Sequence, residues 1–311
     1  MRAIVTDPTS TPRLALREAP VPTAAPNEAL VKVNAISLNA GETRTALEAT
    51  TRYVPGWDFA GVVEKAATDG SSPVAGTRVF GVVPQGSWAE RVAVRAGLIA
   101  EIPPGITDAQ AASIPVAGAT ALLCLERAGA LLGRRVLITG AAGGVGRFAC
   151  QLARLAGAHV FAVSRRAELS QQLSADGVSP ATVFRTMADA KAAGSYDVIV
   201  DSVGGETLAL ALTALSIDGI CVACGNSSGA LTSFDVRDLY RRAAPPRLHV
   251  LWLGTALTAN CTPILARLAA LVAHGQLKTP IDAELPWTEV ATAAERLVAQ
   301  NVHGKIVLNV S

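Results

Sequence analysis

The sequence predicts an α/β protein in which a doubly wound parallel sheet is joined to a β-rich, barrel-like N-terminal domain. Three observations lead there. Residues Val136 to Gly146 read VLITGAAGGVG, an apolar β-branched run, then small residues, then the helical spacing Val145, Phe148, Ala149, Leu152, Ala156. From about residue 116 to 256, apolar strand-like runs alternate with helical stretches, the pattern of successive βαβ units. Before residue 115 the rhythm is different, with short Val/Ile/Ala runs broken by Gly and Pro.

In order along the chain, the N-terminal runs are Ala29 to Ala35, Ala60 to Glu64, Arg78 to Val82 and Trp88 to Val94. The central part is expected to place strands at Val136 to Thr139, His159 to Val163, Asp197 to Asp201, Ile220 to Cys224 and Leu248 to Leu253. The helix opened by the glycine-rich turn runs to about Gly157, and two more are expected near Pro263 to His274 and Glu289 to Ala299. A last strand, Lys305 to Val310, is so apolar that it needs a sheet to join, and the N-terminal barrel offers one. The expected domains are therefore residues 1–115, 116–256 and 257–311, the last returning to the first. Pro20 to Pro26 and Pro245-Pro246 read as local turns, and no internal repeat or low-complexity segment is found.

The glycine-rich turn carries the first chemical statement. A pyrophosphate fits only where backbone N–H groups converge and no Cβ intrudes, and Gly140, Gly143, Gly144 and Gly146 clear that space at a helix start. The spacing departs from G-x-G-x-x-G, and a tight strand-to-helix turn with no ligand is the alternative reading. The next strand ends Ser164-Arg165-Arg166. NAD-preferring folds place an acidic residue there to accept bonds from the ribose hydroxyls, whereas a 2′-phosphate repels carboxylate and needs donors. A hydroxyl and two guanidiniums favour NADPH, because charge-assisted bonds to phosphate contribute about 1.5 to 3 kcal/mol each. Two solvated arginines at a helix start are the alternative.

Composition removes several function classes. The 311 residues carry a formal net charge of only +2 with both signs scattered, which speaks against nucleic acid or an acidic surface as partner. The apolar stretch from Val250 to Ala266 is interrupted by Gly254, Thr258, Asn260 and Pro263 and closed by Arg267, so no membrane segment is expected. The start, MRAIVTDP, lacks a charged-then-apolar signal, and a reducing cytoplasm is the expected setting. Five cysteines (Cys124, Cys150, Cys221, Cys224, Cys261) fit buried small hydrophobes better than a disulfide framework. Cys221-x-x-Cys224 lies in an apolar strand-like segment with no second pair nearby.

From end to end the chain carries SLN (Ser37 to Asn39), PGWDFAGVV (Pro55 to Val63), GTRVFG (Gly76 to Gly81), GSWAE (Gly86 to Glu90) and IPVAGATAL (Ile114 to Leu122). It continues with GAAGGVG (Gly140 to Gly146), YDVIVDSVGG (Tyr196 to Gly205), CGNSSG (Cys224 to Gly229) and HGKIVLNV (His303 to Val310). In this order the segments resemble the zinc-free, quinone oxidoreductase-like branch of the medium-chain dehydrogenase/reductases. The resemblance implies a GroES-like substrate domain, a six-stranded Rossmann domain and a cleft between them that holds NADPH. It implies the pyrophosphate at Gly143, Gly144 and Val145, with Gly140 and Ala142 in the same loop, and the adenosine phosphate at Ser164, Arg165 and Arg166. Asn39, Asp201, Ser202, Val203, Gly225, Asn226, Leu253 and Gly254 would line the ribose and nicotinamide, with Asn301 and Lys305 at the mouth of the cofactor site. Alternatives stand beside three of these: Asn39 as a loop-closing amide, Asp201 as a turn residue, Lys305 as an exposed strand-start charge.

The expectation of no metal rests on missing ligands. A catalytic zinc needs Cys, His or carboxylate around an open position, and residues 1–115 contain no Cys and no His. Where zinc-using relatives carry Gly-His-Glu this chain has Gly56-Trp57-Asp58, and their four-cysteine lobe is missing. Without a Lewis acid to stabilise an alkoxide, the expected chemistry is hydride delivery to an acceptor that stabilises its own negative charge, a quinone or an α,β-unsaturated carbonyl.

Enoyl reductase relatives often carry a Tyr just after the Asn, but here the chain reads Asn39-Ala40-Gly41-Glu42. Tyr53 is the nearest phenol, as proton donor or as pocket wall, and Asn39 orients either the ribose or the substrate oxygen. Polyketide-type enoyl reductases carry a Lys where Asn226 stands, which tilts the reading toward the quinone-reductase side. Tyr53, Trp57, Trp88 and Trp252 lie in segments the family brings toward the cleft and would suit a flat apolar acceptor; core packing is the alternative. An enoyl reductase of a polyketide or secondary-metabolite pathway and a non-catalytic NADPH-binding redox sensor are the competing functions. The resemblance also implies a homodimer through edge strands of the Rossmann sheets.

Overall fold

The computed structural model describes residues 1–178, 182–240, 247–254 and 260–310, so the expected turn at Pro245-Pro246 lies outside the described residues. The chain divides into two units, Met1–Ala119 with Gly254–Ser311, and Thr120–Leu253.

After an antiparallel pair, β1 (Arg2–Thr6) and β2 (Leu14–Glu18), the first unit is built around a long strand, β3 (Glu28–Ser37), with β4 (Asp58–Lys65) antiparallel along one side. Its other side is shared. The N-terminal half pairs with β6 (Arg91–Arg95) and the C-terminal half with the last strand, β15 (Lys305–Asn309), where Val307 lies opposite Ser37. The apolar terminal strand thus finds its sheet in the N-terminal domain, and Ile306, Val307 and Leu308 are completely buried because both of their faces are covered. Beyond β4 come β5 (Arg78–Val82) and β7 (Ile99–Glu101), and β14 (Ile281–Pro286) pairs parallel with β15 at the other edge. A short helix, α1 (Ala40–Leu47), follows β3 directly, so the strand end and the helix start set the position of Asn39.

One expected strand starts late. The run from Trp88 becomes strand only at Arg91, because the Trp88 N–H donates to Pro55 O at 3.1 Å and Ala89 makes a single bridge to Ala3. These cross-connections take up the backbone before β6 begins.

The second unit is a six-stranded parallel sheet in the order β10-β9-β8-β11-β12-β13. Its strands are β8 (Arg135–Ile138), β9 (His159–Val163), β10 (Thr182–Phe184), β11 (Tyr196–Asp201), β12 (Leu215–Ala223) and β13 (Arg247–Val250). The chain starts at the centre, winds outward to one edge, returns and winds to the other, which is the dinucleotide-binding Rossmann order. Val136, Leu137 and Ile138 are fully buried, as a central strand covered on both faces requires. The helix after β8 (Gly144–Leu155) buries Phe148, Ala149 and Leu152 of the stripe its sequence spacing predicts, whereas Val145 is half-buried at the helix start and Ala156 lies exposed just past its end. The run expected from Leu248 to Leu253 is strand only to Val250, since Leu253 and Gly254 are already helical. Among the described residues no helix is long and apolar enough to cross a membrane.

Candidate active site

The direction of winding reverses between β8 and β11, the place where open α/β sheets bind ligands at the carboxyl ends of their strands. Here the two strand ends are latched. Thr139 Oγ1 donates to Asp201 Oδ1 at 2.6 Å, and Asp201 Oδ2 accepts the Gly204 N–H at 2.8 Å. Ser202 binds back to Thr139 through its N–H and its hydroxyl, both at 3.3 Å. Asp201 is completely buried and both of its oxygens are engaged inside the fold, and burial raises the pKa of its carboxyl. It fixes the crevice wall, while the half-buried Ser202 and Val203 form the surface above it.

The glycines of the loop have different jobs. Gly140 adopts φ +59°, and a Cβ there would come within 2.5 Å of Ser202 Oγ. A Cβ on Gly146 would lie 2.5 Å from Gly140 O and 2.6 Å from Ala141 Cα, so this glycine lets the helix press on the turn. Gly143 precedes the helix, and a Cβ on it would meet only Gly140 O at 3.4 Å. It is less crowded than Gly140 and Gly146. The first N–H groups of the helix, at Gly144 and Val145, have no partner within the helix, and with the dipole they form an anion site that lacks side-chain obstruction. Ala142 is buried in the turn. The loop fits a pyrophosphate.

At the end of β9, Ser164 is buried, its N–H bonds Phe184 O at 2.9 Å and its hydroxyl accepts the Arg166 N–H at 3.1 Å. Arg165 is exposed and Arg166 half-buried, so two guanidiniums stand where the second strand stops. Gly225 and Asn226 are exposed after β12, and a Cβ on Gly225 would sit 3.0 Å from Ser202 O, so the two crevice segments run in contact. The Asn226 amide folds its own turn, donating to Ala230 O at 3.3 Å and accepting from Ser228 at 3.0 Å. Leu253 and Gly254 are half-buried.

The first unit contributes a buried polar cluster that the sequence did not announce. Asn39 Oδ1 accepts from Lys305 Nζ at 2.6 Å. Its Nδ2 donates to Glu42 Oε1 at 2.9 Å and to Asp58 Oδ2 at 2.8 Å, and its backbone N–H also reaches Glu42 Oε1 at 2.8 Å. Lys305 completes its coordination with Leu38 O at 2.9 Å and Asp58 Oδ2 at 3.3 Å, and Asp58 Oδ1 accepts the Val116 N–H at 2.9 Å. Lys305 is 3% exposed and Asp58 0%, which replaces the picture of an exposed strand-start charge. All three ammonium N–H groups go to acceptors of the chain itself, so Lys305 holds Asn39. The Asn39 amide then has no spare N–H and one lone pair left on Oδ1, so it can accept from a hydroxyl but cannot donate to a substrate oxygen.

Burial and the neighbouring Asp58 charge push the Glu42 carboxyl up to about 8, with Lys305 opposing. Burial raises Asp58 as well, against Lys305 and its hydrogen bonds. Glu42 and Asp58 were missed as functional residues. The available signals were the Asn39-x-x-Glu42 spacing, typical of a helix start, and a lone acid in the apolar run WDFAGVV.

The remaining predicted residues separate. Tyr53 is half-buried, and its phenol is raised by burial and by the Glu42 charge, which places it within electrostatic reach of the cluster. Trp57 lies nearby, since a Cβ on Gly41 would approach its ring to 3.2 Å. Trp88 is fully buried core, and Trp252 is 72% exposed, so neither stands with Tyr53 and Trp57. Asn301 is exposed, its N–H closing a helix end on Arg296 O at 2.8 Å, outside the cluster.

Residues 25–104 match the family described as alcohol dehydrogenase GroES-like domain, and residues 173–308 that described as zinc-binding dehydrogenase. Over 335 aligned positions the chain is 30% identical to the mitochondrial NAD(P)H oxidoreductase RTN4IP1 of Mus musculus, covering 92% of this chain and 82% of the relative. The chain belongs to the medium-chain dehydrogenase/reductases. Within them it falls in the quinone oxidoreductase-like branch. The structure of the quinone oxidoreductase from Coxiella burnetii superposes with a TM-score of 0.86 at 27% identity, covering 100% of this chain and 99% of that one. A mycocerosic acid synthase-like polyketide synthase of Mycobacterium tuberculosis is 32% identical over 263 positions, 82% of this chain. This medium-chain reductase spans only 12% of that synthase.

Among the described residues of this oxidoreductase, no three His, Cys, Asp or Glu side chains stand together as metal ligands. All five cysteines are free thiols; four are buried and Cys224 is half-buried. Burial pushes the Cys150 thiol up to about 12 and Cys221 upward too, while Cys124 is raised first by its hydrogen bond with Cys224 and then by burial. Such thiols are poor nucleophiles and poor ligands.

Proposed function

We infer that this medium-chain reductase transfers hydride from NADPH to a quinone or an α,β-unsaturated carbonyl without a metal ion. The observation that carries the reading is the open helix start at Gly143, followed one strand later by Ser164, Arg165 and Arg166. The first suits a pyrophosphate and the second a 2′-phosphate. The relative named as an NAD(P)H oxidoreductase supports the coenzyme class, and the absence of Cys and His from residues 1–115 supports chemistry without zinc.

When bound, the coenzyme supplies the hydride. Gly143, Gly144 and Val145 hold its pyrophosphate, and Ser164, Arg165 and Arg166 hold its 2′-phosphate. Asn39, oriented by Lys305, accepts a hydrogen bond from a ribose hydroxyl through its remaining lone pair. Tyr53 gives a proton to the reduced acceptor, and Trp57 presents a flat apolar surface suited to a planar substrate.

NADPH oxidation against a panel of quinones, enones and enoyl thioesters, with NADH as control, tests the reading. Turnover with quinones or enones is expected; none with any acceptor overturns it. The likeness to a polyketide synthase favours an enoyl thioester as second choice, although Asn226 stands where that class carries a Lys. A non-catalytic redox sensor predicts binding without turnover.

A homodimer is proposed through β13, which has no outer neighbour among the described residues and exposes Val250 and Trp252, both 72% accessible. Five free thiols suit the proposed cytoplasmic setting, beside a relative whose name places it in mitochondria.

A further inference from the structure

The helix that opens on the glycine-rich turn carries a cation where its dipole disfavours one. Arg147 closes the first turn of the helix Gly144–Leu155, its N–H bonding Gly143 O at 3.0 Å, and that end of a helix repels positive charge. Asp176 stands at the C-terminal cap of the helix Leu169–Ala175, the end that repels an anion. Neither charge helps its own helix. Together they pair: Nε and Nη2 of Arg147 both donate to Asp176 Oδ2, at 2.8 and 2.6 Å, and the two side chains are only 11% and 6% exposed.

The pair joins the two elements that lead to the two phosphate positions. From β9 the chain passes Ser164, Arg165 and Arg166 and enters the helix Leu169–Ala175 after Glu168. The near end of this connection is held by the Ser164 N–H on Phe184 O at 2.9 Å. At the far end Leu169 and Leu173 are completely buried, and the Asp176 N–H closes on Gln172 O at 3.0 Å. Apolar burial keeps this helix against the fold, but it is non-directional and leaves sliding and rotation open. Two charge-assisted hydrogen bonds to one carboxylate oxygen are directional and set its position against the helix that carries the Gly143 turn.

We propose that Arg147 and Asp176 are positioning residues that select NADPH over NADH by bracing the Ser164-Arg165-Arg166 connection against the Gly143 turn. The proposal rests on the reading of these two segments as the 2′-phosphate and pyrophosphate sites. NADPH carries its pyrophosphate and its 2′-phosphate on one ribose, so a protein that binds both must hold two anion sites at one fixed separation. NADH lacks the 2′-phosphate and is indifferent to that separation. The brace therefore acts on the coenzyme choice through Arg165 and Arg166, without itself touching either phosphate.

Arg147→Met combined with Asp176→Leu removes both charges and leaves no unpaired ion in the interior, a replacement that buried pairs commonly tolerate. The local net charge is unchanged, and whatever Arg147 adds at the pyrophosphate is common to both coenzymes, so the ratio of their dissociation constants reads position alone. Calorimetric titration is expected to show NADPH weakened about tenfold, one phosphate hydrogen bond no longer being reached, and NADH unchanged within error. Asp176→Ala separates position from charge by sign. If only the electric field matters, removing an anion tightens the coenzyme that has the additional phosphate, whereas loss of the brace weakens it. The double variant carries the test should Asp176→Ala not fold. An unchanged ratio in the double variant, or equal weakening of both coenzymes, overturns the proposal, and so does tighter NADPH binding by Asp176→Ala. A wild type that binds NADH as well as NADPH overturns the phosphate reading instead.

Discussion

The ammonium of Lys305 donates to Oδ1 of Asn39 at 2.6 Å, joining two residues 266 positions apart in the chain. An ammonium has no acceptor, so it selects the carbonyl oxygen and thereby fixes which way the amide faces. The Nδ2 side is turned to Glu42 and Asp58, and one lone pair remains for a ligand.

Lys305→Met is expected to cost about 3 to 5 kcal/mol of stability, because it leaves Asp58 charged and unpaired in the interior. Combining it with Asp58→Asn should recover much of the loss. Urea unfolding of the two variants checks this, and equal stability of wild type and Lys305→Met would mean that the pair contributes nothing.

Arg165→Ala should weaken NADPH about tenfold or more and leave NADH nearly unchanged, one charge-assisted phosphate contact being lost. Calorimetric titration with both coenzymes decides. Equal loss for the two would remove the phosphate assignment.

Tyr53→Phe keeps the ring and deletes the hydroxyl. Turnover should drop while NADPH affinity stays within a few-fold, and unchanged kcat across the pH range would reduce Tyr53 to a wall.

Two glycines separate binding from folding. Gly143→Ala meets only one contact at 3.4 Å, so the protein should fold normally while the added methyl obstructs the pyrophosphate. Gly146→Ala places Cβ 2.5 Å from a carbonyl oxygen and should lower the melting temperature as well. Melting curves with and without NADPH distinguish the two.

Stability should carry the mark of Glu42. Its carboxyl is raised from 4.5 to about 8 in the folded protein, so between these values the unfolded chain ionises while the folded one keeps its proton. Stability is therefore greatest below the unfolded value, falls as pH rises through the window, and levels off above the folded value. The slope contributed by one proton approaches about 1.4 kcal/mol per pH unit. Asp58 shifts in the same direction, so the difference between wild type and Glu42→Gln in urea unfolding from pH 5 to pH 8 isolates the Glu42 part. Parallel curves for the two proteins would rule it out.

Much of the Rossmann half could be read directly. The strand from His159 to Val163 has the bounds its composition suggests, and the helix after Gly143 buries Phe148, Ala149 and Leu152, the middle of the stripe its periodicity marks. The readings that changed all involve partners distant in sequence. Asp201 was expected along the cofactor and instead latches onto Thr139, 62 residues earlier, because two strands that open separate βαβ units lie side by side in the sheet. Trp88 and Trp252 looked alike as aromatics in apolar runs, yet one is sealed under cross-connections to Pro55 and Ala3 and the other follows an edge strand.

Residue order alone determined the alternation of strands and helices, the glycine-rich turn at Gly143 and the guanidinium pair after β9, since each depends on neighbours within one turn or strand. Only the tertiary structure decided that Asn39, Glu42, Asp58 and Lys305 share one buried network and that the Asn39 amide is left able only to accept. The physical reason is that hydropathy and spacing describe local backbone geometry, whereas hydrogen-bond saturation and the charge state of a buried acid depend on which remote strands the sheet brings together.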